Sequence, residues 1–267
     1  MHSQRPLSPL LIHVYDPLFA HVCVPLPLLL ARVQGCFENF REQQLFIEME
    51  YIEGKDLFQV LKSYCDDRLR EEVAKNYLYN VLTALNHLRT LGVAHRDVKL
   101  ANIMATIDGD ETGIYCKIGD FGMANTVDSD GLVRGRCGTP GYVAPEILTA
   151  TAKSGYKNRV DVFSAGVVLY TLLCGYEPFY GETDKEVVAA NKAAVVEFHE
   201  LQWAKISDEA KDLIGLLLEK DPEVRIHPRD AMKHAWFDDA NAKKLHKRQV
   251  DEALEGGEEA MFKCNIL

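Results

Sequence analysis

No lysine occurs before Lys55, and Gly35 and Gly54 are the only glycines ahead of it. Residues 1–54 therefore hold neither a GxGxxG turn that could cradle phosphates nor an ammonium group to neutralise them. The seven cysteines (Cys23, Cys36, Cys65, Cys116, Cys137, Cys174 and Cys264) are odd in number, scattered and never spaced as CxxC. That argues against a disulfide scaffold or a zinc site and points to a reducing, cytoplasmic compartment. No apolar run approaches the roughly 18 residues of a membrane-spanning helix. Basic residues are in deficit as well. With 30 Lys and Arg against 40 Asp and Glu, the net charge is −10, which disfavours non-specific nucleic-acid binding, so no nucleic-acid partner is expected.

The start of the chain has little that could build a regular element. Five of the ten prolines (Pro6, Pro9, Pro17, Pro25 and Pro27) fall in residues 1–31, and each removes an N–H and fixes φ. His13, Asp16, Pro17 and His21 break the apolar run there, so it does not read as a signal peptide. No regular element is expected before residue 33.

From Val33 onward the pattern changes. Residues 45–49 alternate apolar and polar, as a strand does. Val73, Tyr77, Val81, Leu85 and Leu88 make one helical stripe over 70–91, with Gly92 placed to end it. The segment 161–175 is apolar on all sides and predicts a central helix. Ser207 can cap a helix that opens with Asp208 and Glu209, and His227-Pro228 opens another. After Phe237 the apolar period fades into a charged tail.

Three motifs carry chemistry. His95-Arg96-Asp97-Val98-Lys99-Leu100-Ala101-Asn102 places a carboxylate, a cation and an amide in one loop. Phosphoryl transfer needs those three groups to orient a hydroxyl, steady a phosphate and bind a metal. Asp120-Phe121-Gly122 follows an apolar strand at 114–118 and offers a magnesium ligand beside a turn. Gly138-Thr139-Pro140-Gly141-Tyr142-Val143-Ala144-Pro145-Glu146 comes third.

In that order and spacing the three resemble the signature of eukaryotic serine/threonine protein kinases. Leu173-Cys174-Gly175-Tyr176-Glu177-Pro178-Phe179 and His234-Ala235-Trp236-Phe237 are similar to the calcium/calmodulin-dependent and calcium-dependent group. The resemblance implies an α+β protein-kinase fold with a mainly helical C-lobe and only a remnant of the β-rich N-lobe. On it, residues 1–32 are an irregular segment and 33–237 the kinase domain, divided into an N-lobe remnant (33–49), a hinge (50–56) and a C-lobe (57–237). Residues 238–267 are the tail.

The resemblance also assigns roles. Asp97 is the catalytic base, Lys99 steadies the γ-phosphate of ATP, and Asn102 and Asp120 hold Mg²⁺. Met49 is the gatekeeper, the Glu50 and Ile52 backbones bond adenine, Asp56 reaches the ribose, and Met104 packs under the base. Asp161 braces the catalytic-loop backbone, and Glu146 pairs with Arg225. Substrates are then proteins presenting Ser or Thr. Related enzymes select basic substrates with acids in the hinge helix, catalytic loop and central helix. Here Asp56 remains, but Ala101 and Thr171 stand at the other two positions, implying a blunted arginine preference.

Departures from the pattern are equally direct. The glycine-rich loop, the strand lysine and its helix glutamate are missing. Two explanations stand open: a short protein that works as a pseudokinase binding module, or a start mis-drawn into an intron. The Leu, Pro, Phe and Ser richness of residues 1–31, residues with pyrimidine-rich codons, favours the second. In the activation segment Gly135 stands where many relatives carry a phosphorylatable Thr, leaving the partner of Arg96 open; Thr126 and Ser129 lie upstream. Asp108–Gly113 opens like a calcium loop, but Gly119 occupies the position of the bidentate Glu, so a hairpin turn is expected. Cys264-Asn265-Ile266-Leu267 fits a prenylation box, which would bring peripheral membrane attachment. Lys243, Lys244, Lys247 and Arg248 give a thin calmodulin-binding signal.

Overall fold

Every one of the fifteen residues of the helix Val160–Cys174 is buried. A helix apolar on all sides can sit only at the centre of a core, and the helices Glu71–Thr90 and Asp208–Leu217 pack against it. The computed structural model describes residues 5–6, 29–31, 33–39, 44–107, 114–151 and 154–238. The calcium-like loop, the basic stretch of the tail and Cys264 lie outside them.

Strands β1 (Arg5–Pro6), β2 (Val33–Asn39) and β3 (Gln44–Met49) form one antiparallel sheet in that order. After β4 (Lys55–Asp56) come the helices α1 (Leu57–Lys62) and α2 (Glu71–Thr90). Then follow β5 (Val93–Ala94), β6 (Ile103–Ile107), β7 (Ile114–Ile118) and β8 (Asn125–Thr126). Strands β4, β6 and β7 make a second three-stranded sheet, and β5 pairs with β8. Helices α3 (Pro145–Thr149), α4 (Val160–Cys174), α5 (Asp184–Ala193), α6 (Glu200–Trp203), α7 (Asp208–Leu217) and α8 (Pro228–Ala231) complete the helical part. Sheets and helices are segregated, which is the α+β arrangement expected.

The amphipathic helix α2 lays its stripe (Val73, Tyr77, Val81, Leu85, Leu88) against this core. It stops at Gly92, whose φ of +67° is the left-handed conformation glycine adopts without strain. Ser207 caps α7 by accepting from the Ala210 N–H. Its own hydroxyl and N–H donate to Glu71 at 2.7 and 2.8 Å, and the Trp236 indole donates to the same carboxylate at 2.7 Å. Burial pushes the Glu71 carboxyl up, but these donors outweigh it and hold it below its ordinary value. One carboxylate thus ties the start of α2 to the start of α7 and to the 3₁₀ turn Ala235–Phe237.

The first 32 residues differ from expectation in two places. Arg5–Pro6 forms the edge strand of its sheet, where a proline's missing N–H is tolerated. Leu29, Leu30 and Ala31 are buried. Ala31 N–H donates to Ile118 O, and Ile118 N–H to Leu29 O, both at 2.9 Å. No proline follows Pro27 in this stretch, so its backbone is free to pair and its apolar side chains join the core. Packing therefore begins before Val33.

Gly166 is where α4 meets α7. A Cβ there would stand 2.8 Å from Leu218 and 2.9 Å from Leu217, whereas one on Gly215 would meet nothing within 4 Å. Gly166→Ala is expected to destabilise the fold by about 1–3 kcal/mol through overpacking. Gly215→Ala, in the same pair of helices, should stabilise it by roughly 0.5–1 kcal/mol. Urea denaturation of both variants checks the pair, and equal effects would contradict the packing described.

Candidate active site

The loop between β5 and β6 carries a residue in an unfavourable conformation. Arg96 has φ +68°, which costs a non-glycine residue roughly 1–2 kcal/mol. Asp161, in the first turn of α4, offsets it. Its two carboxylate oxygens accept from the His95 and Arg96 N–H groups, each at 2.7 Å. Burial raises the Asp161 carboxyl, and the His95 and Arg96 neighbours only partly offset that. The acid is buried and braces the loop, as the resemblance implied.

Asp97 is thereby turned into a compact polar cluster. Lys99 Nζ lies 2.8 Å from its Oδ2 and donates to Thr139 Oγ1 at 2.9 Å. Thr139 Oγ1 donates to Asp97 Oδ1 at 2.6 Å. Asn102 Nδ2 donates to the Asp97 carbonyl at 2.8 Å and to Oδ2 at 2.9 Å. Burial alone would raise the Asp97 carboxyl, but the Lys99 and Thr139 donors, the Lys99 charge and Asn102 more than offset it, so it lies below its ordinary value. A carboxylate held in that state is a good hydrogen-bond acceptor and a weak base. It suits a group that orients a hydroxyl and takes its proton late, in a transition state where bond-making to the nucleophile is small.

Asp120 is coupled to this loop through main chain and ring. Gly119 N–H donates to Asn102 O at 2.9 Å. His95 Nδ1 faces the Asp97 N–H at 3.3 Å, so Nε2 carries the proton donated to Gly119 O at 2.9 Å. The His95 and Phe121 rings meet edge to face at 4.8 Å. Asp120 itself has φ +54° and accepts from Gly122 N–H. Among the described residues no group of three or more His, Cys, Asp or Glu side chains could hold a metal alone. Asn102 and Asp120 supply hard oxygen donors and too few of them for an all-protein cage. That set fits Mg²⁺ arriving with nucleotide phosphates, where the ion would neutralise charge on the phosphoryl oxygens.

Asp56, Met104 and Glu50, which the resemblance assigned to nucleotide binding, are linked in a row across the second sheet through Lys117. Asp56 opposes Met104, and Met104 opposes Lys117. Lys117 then reaches Glu50, bonding both carboxylate oxygens at 2.7 and 2.8 Å. Asp56 uses Oδ1 to cap α1 on Gln59 N–H at 2.8 Å. Ile52 is half-buried, while Met49 is 39% exposed, together with Phe46 and Ile47 on the same strand. Met49 makes its backbone pairing with Val33 rather than joining the row.

Two further contacts fix the activation segment. Arg225, its side chain fully buried, holds Glu146 through both oxygens at 2.6 and 2.9 Å. Arg96 donates to the carbonyls of Met123 at 2.6 Å and Arg134 at 2.9 Å, and to the Tyr156 hydroxyl at 3.3 Å. Tyr156 in turn donates to Gly135 O at 2.7 Å. Main-chain carbonyls are thus the partners of Arg96 that the sequence left open.

Sequence reasoning missed Thr139 as a partner of Asp97, Lys117 as the partner of Glu50, and Glu177, which meets Tyr142. The signals existed: a lysine inside the apolar strand 114–118, and an acid before Pro178 in a turn that otherwise holds aromatics.

A family model described as "Protein kinase domain" matches residues 29–237. The chain is 36% identical over 200 residues to myosin light chain kinase A of Dictyostelium discoideum, covering 75% of this chain and 65% of that protein. It is 39% identical over 202 residues to calcium/calmodulin-dependent protein kinase type 1 of Caenorhabditis briggsae, covering 75% of this chain and 54% of that one. It is 37% identical over 198 residues to the serine/threonine-protein kinase DCLK1 of Rattus norvegicus, covering 73% and 44%. The chain therefore spans less than two thirds of the length of these relatives.

Two outcomes test the geometry. Thr139→Ala removes a donor that favours ionised Asp97, so the Asp97 carboxyl should titrate at higher pH than in the parent, as read by carbon NMR. The sign follows from linkage. Because the folded value is lowered, the stability Asp97 contributes is present above its ordinary value and lost as pH falls through the folded one, so Thr139→Ala should narrow the loss. Asp161→Asn keeps the shape but presents an amide N–H to one of two donors. The His95 and Arg96 amides should then exchange hydrogen at least tenfold faster, about the effect of losing one buried bond.

Proposed function

We propose that this chain, which belongs to the protein kinase family and within it to the calcium/calmodulin-dependent group, carries the machinery for transferring the γ-phosphate of ATP to Ser or Thr hydroxyls of proteins. The observation that carries this reading is the Asp97 cluster, in which one carboxylate is held ionised by Lys99, Thr139 and Asn102 at 2.6–2.9 Å. Asp97 orients the acceptor hydroxyl, Lys99 faces the transferring phosphoryl group, and Asn102 and Asp120 bind Mg²⁺. Adenine would lie over Met104, against the hinge at Glu50 and Ile52, with Asp56 toward the ribose. A reducing cytoplasm and a lipid on Cys264 belong to the same reading.

A second reading, a pseudokinase that binds protein partners, is favoured by one observation. No lysine precedes Lys55, so residues 1–54 supply no lysine ammonium for the α- and β-phosphates. Loss of one preorganised donor at a reacting phosphate slows the chemistry by about 100- to 1000-fold. Residues 1–267 alone are therefore expected to phosphorylate a Ser/Thr peptide barely faster than their Asp97→Asn variant. A transcript-encoded product that adds a glycine-rich loop and a strand lysine should exceed its own Asp97→Asn variant by at least 100-fold, the size of that effect. Labelled-phosphate transfer measures both. Indifference of the longer product to Asp97→Asn would replace the enzyme by the binding module.

A further inference from the structure

Glu177 lies in the turn after α4 and points back at the activation segment. The nearby Tyr142 hydroxyl favours its charged form, and its Oε2 would stand 2.9 Å from a Cβ on Gly141. Gly141 is required twice over. Its φ of +91° is left-handed, and any side chain would displace the carboxylate. From the other side the fully buried Asn191 fixes the same residue, accepting from Gly141 N–H at 2.7 Å and donating to Gly141 O at 3.2 Å and Val143 O at 3.0 Å. Glu177 is thus docked against a rigid segment, the one whose Thr139 touches Asp97 and Lys99.

Two residues of chain span at most about 7 Å. From Thr139 to Gly141 is two residues, so the Gly141 backbone that Glu177 packs against lies within that reach of Thr139 and of the loop that carries Asp97. Burial raises the Glu177 carboxyl, and the Tyr142 donor only partly offsets this. Among the described residues no lysine, arginine or histidine forms an ion pair with it. A half-buried carboxylate lacking a cation is unfavourable, and a cation that arrives with a ligand relieves that penalty. Thr171 cannot serve in its place, being buried with its hydroxyl donated to Val167 O at 2.9 Å.

We propose that Glu177 is a specificity-determining residue of the acceptor groove, pairing with an arginine or lysine of the substrate within a few residues of the phosphorylated hydroxyl. The assignment rests on the kinase reading above and supplies from a turn the acid that the central helix lacks.

The test is fluorescence anisotropy with labelled alanine-serine peptides in which a single arginine is walked through the three positions on each side of the serine. At one position the arginine peptide should bind about tenfold more tightly than the all-alanine peptide, the size of one charge-assisted hydrogen bond. Glu177→Gln should remove most of that advantage, and Glu177→Lys should transfer it to the matching glutamate peptide; a circular-dichroism melt verifies that each variant folds. An advantage of unchanged size in Glu177→Gln, or none at any position in the parent, overturns the assignment. Binding is read without nucleotide, so it separates from the chemistry. An intact, Glu177-dependent arginine advantage beside Asp97-independent transfer would sink the kinase reading and leave Glu177 a peptide-binding acid with no acceptor hydroxyl to serve, so the two failures are distinguishable.

Discussion

The carboxylate of Asp161 is the constraint on which the site depends. It sits in the first turn of a helix with no exposed face, so it cannot move without moving the core. Its two oxygens each hold one N–H of the loop that carries Asp97. The loop needs that hold, because Arg96 is left-handed and a free chain would relax it. From this fixed point the chemistry radiates. His95 passes the position on to Gly119 and Phe121, and Asn102 passes it to Asp97 and, through its carbonyl, to Gly119. The loops that carry Asp97 and Asp120 are therefore not separately placed. Both are referenced to a single buried acid.

Charge is distributed with the same economy. Asp97 remains ionised because donors surround it, whereas Asp161 and Glu177 are driven toward neutrality by burial. Three carboxylates near one segment thus differ by environment alone: Asp97 is ringed by donors, Asp161 braces two backbone N–H groups, and Glu177 is half-buried. The Glu50–Lys117 pair adds a fourth arrangement, in which an acid is matched by a lysine inside the protein.

Local rules accounted for much of the fold. The α2 stripe, the all-apolar α4, the Ser207 cap and the Gly92 stop were legible because each depends on residues within one or two turns. Asp97, Lys99 and Asn102 were legible because they share one loop. The site's cross-chain members were not. Thr139 reaches Asp97 from 42 positions away, and Lys117 reaches Glu50 from 67, distances over which periodicity carries no information. Leu29–Ala31 were misjudged for a related reason: the prolines before them argued against structure, but the pairing that orders them comes from Ile118, far along the chain.

Arg96 has a consequence for how such a protein could be governed. A guanidinium offers five N–H donors, and three of them already rest on Met123 O, Arg134 O and the Tyr156 hydroxyl. Gly135, beside it, has no hydroxyl to modify. The shape of this stretch is then set by the folded main chain itself, through contacts that need no added group to form.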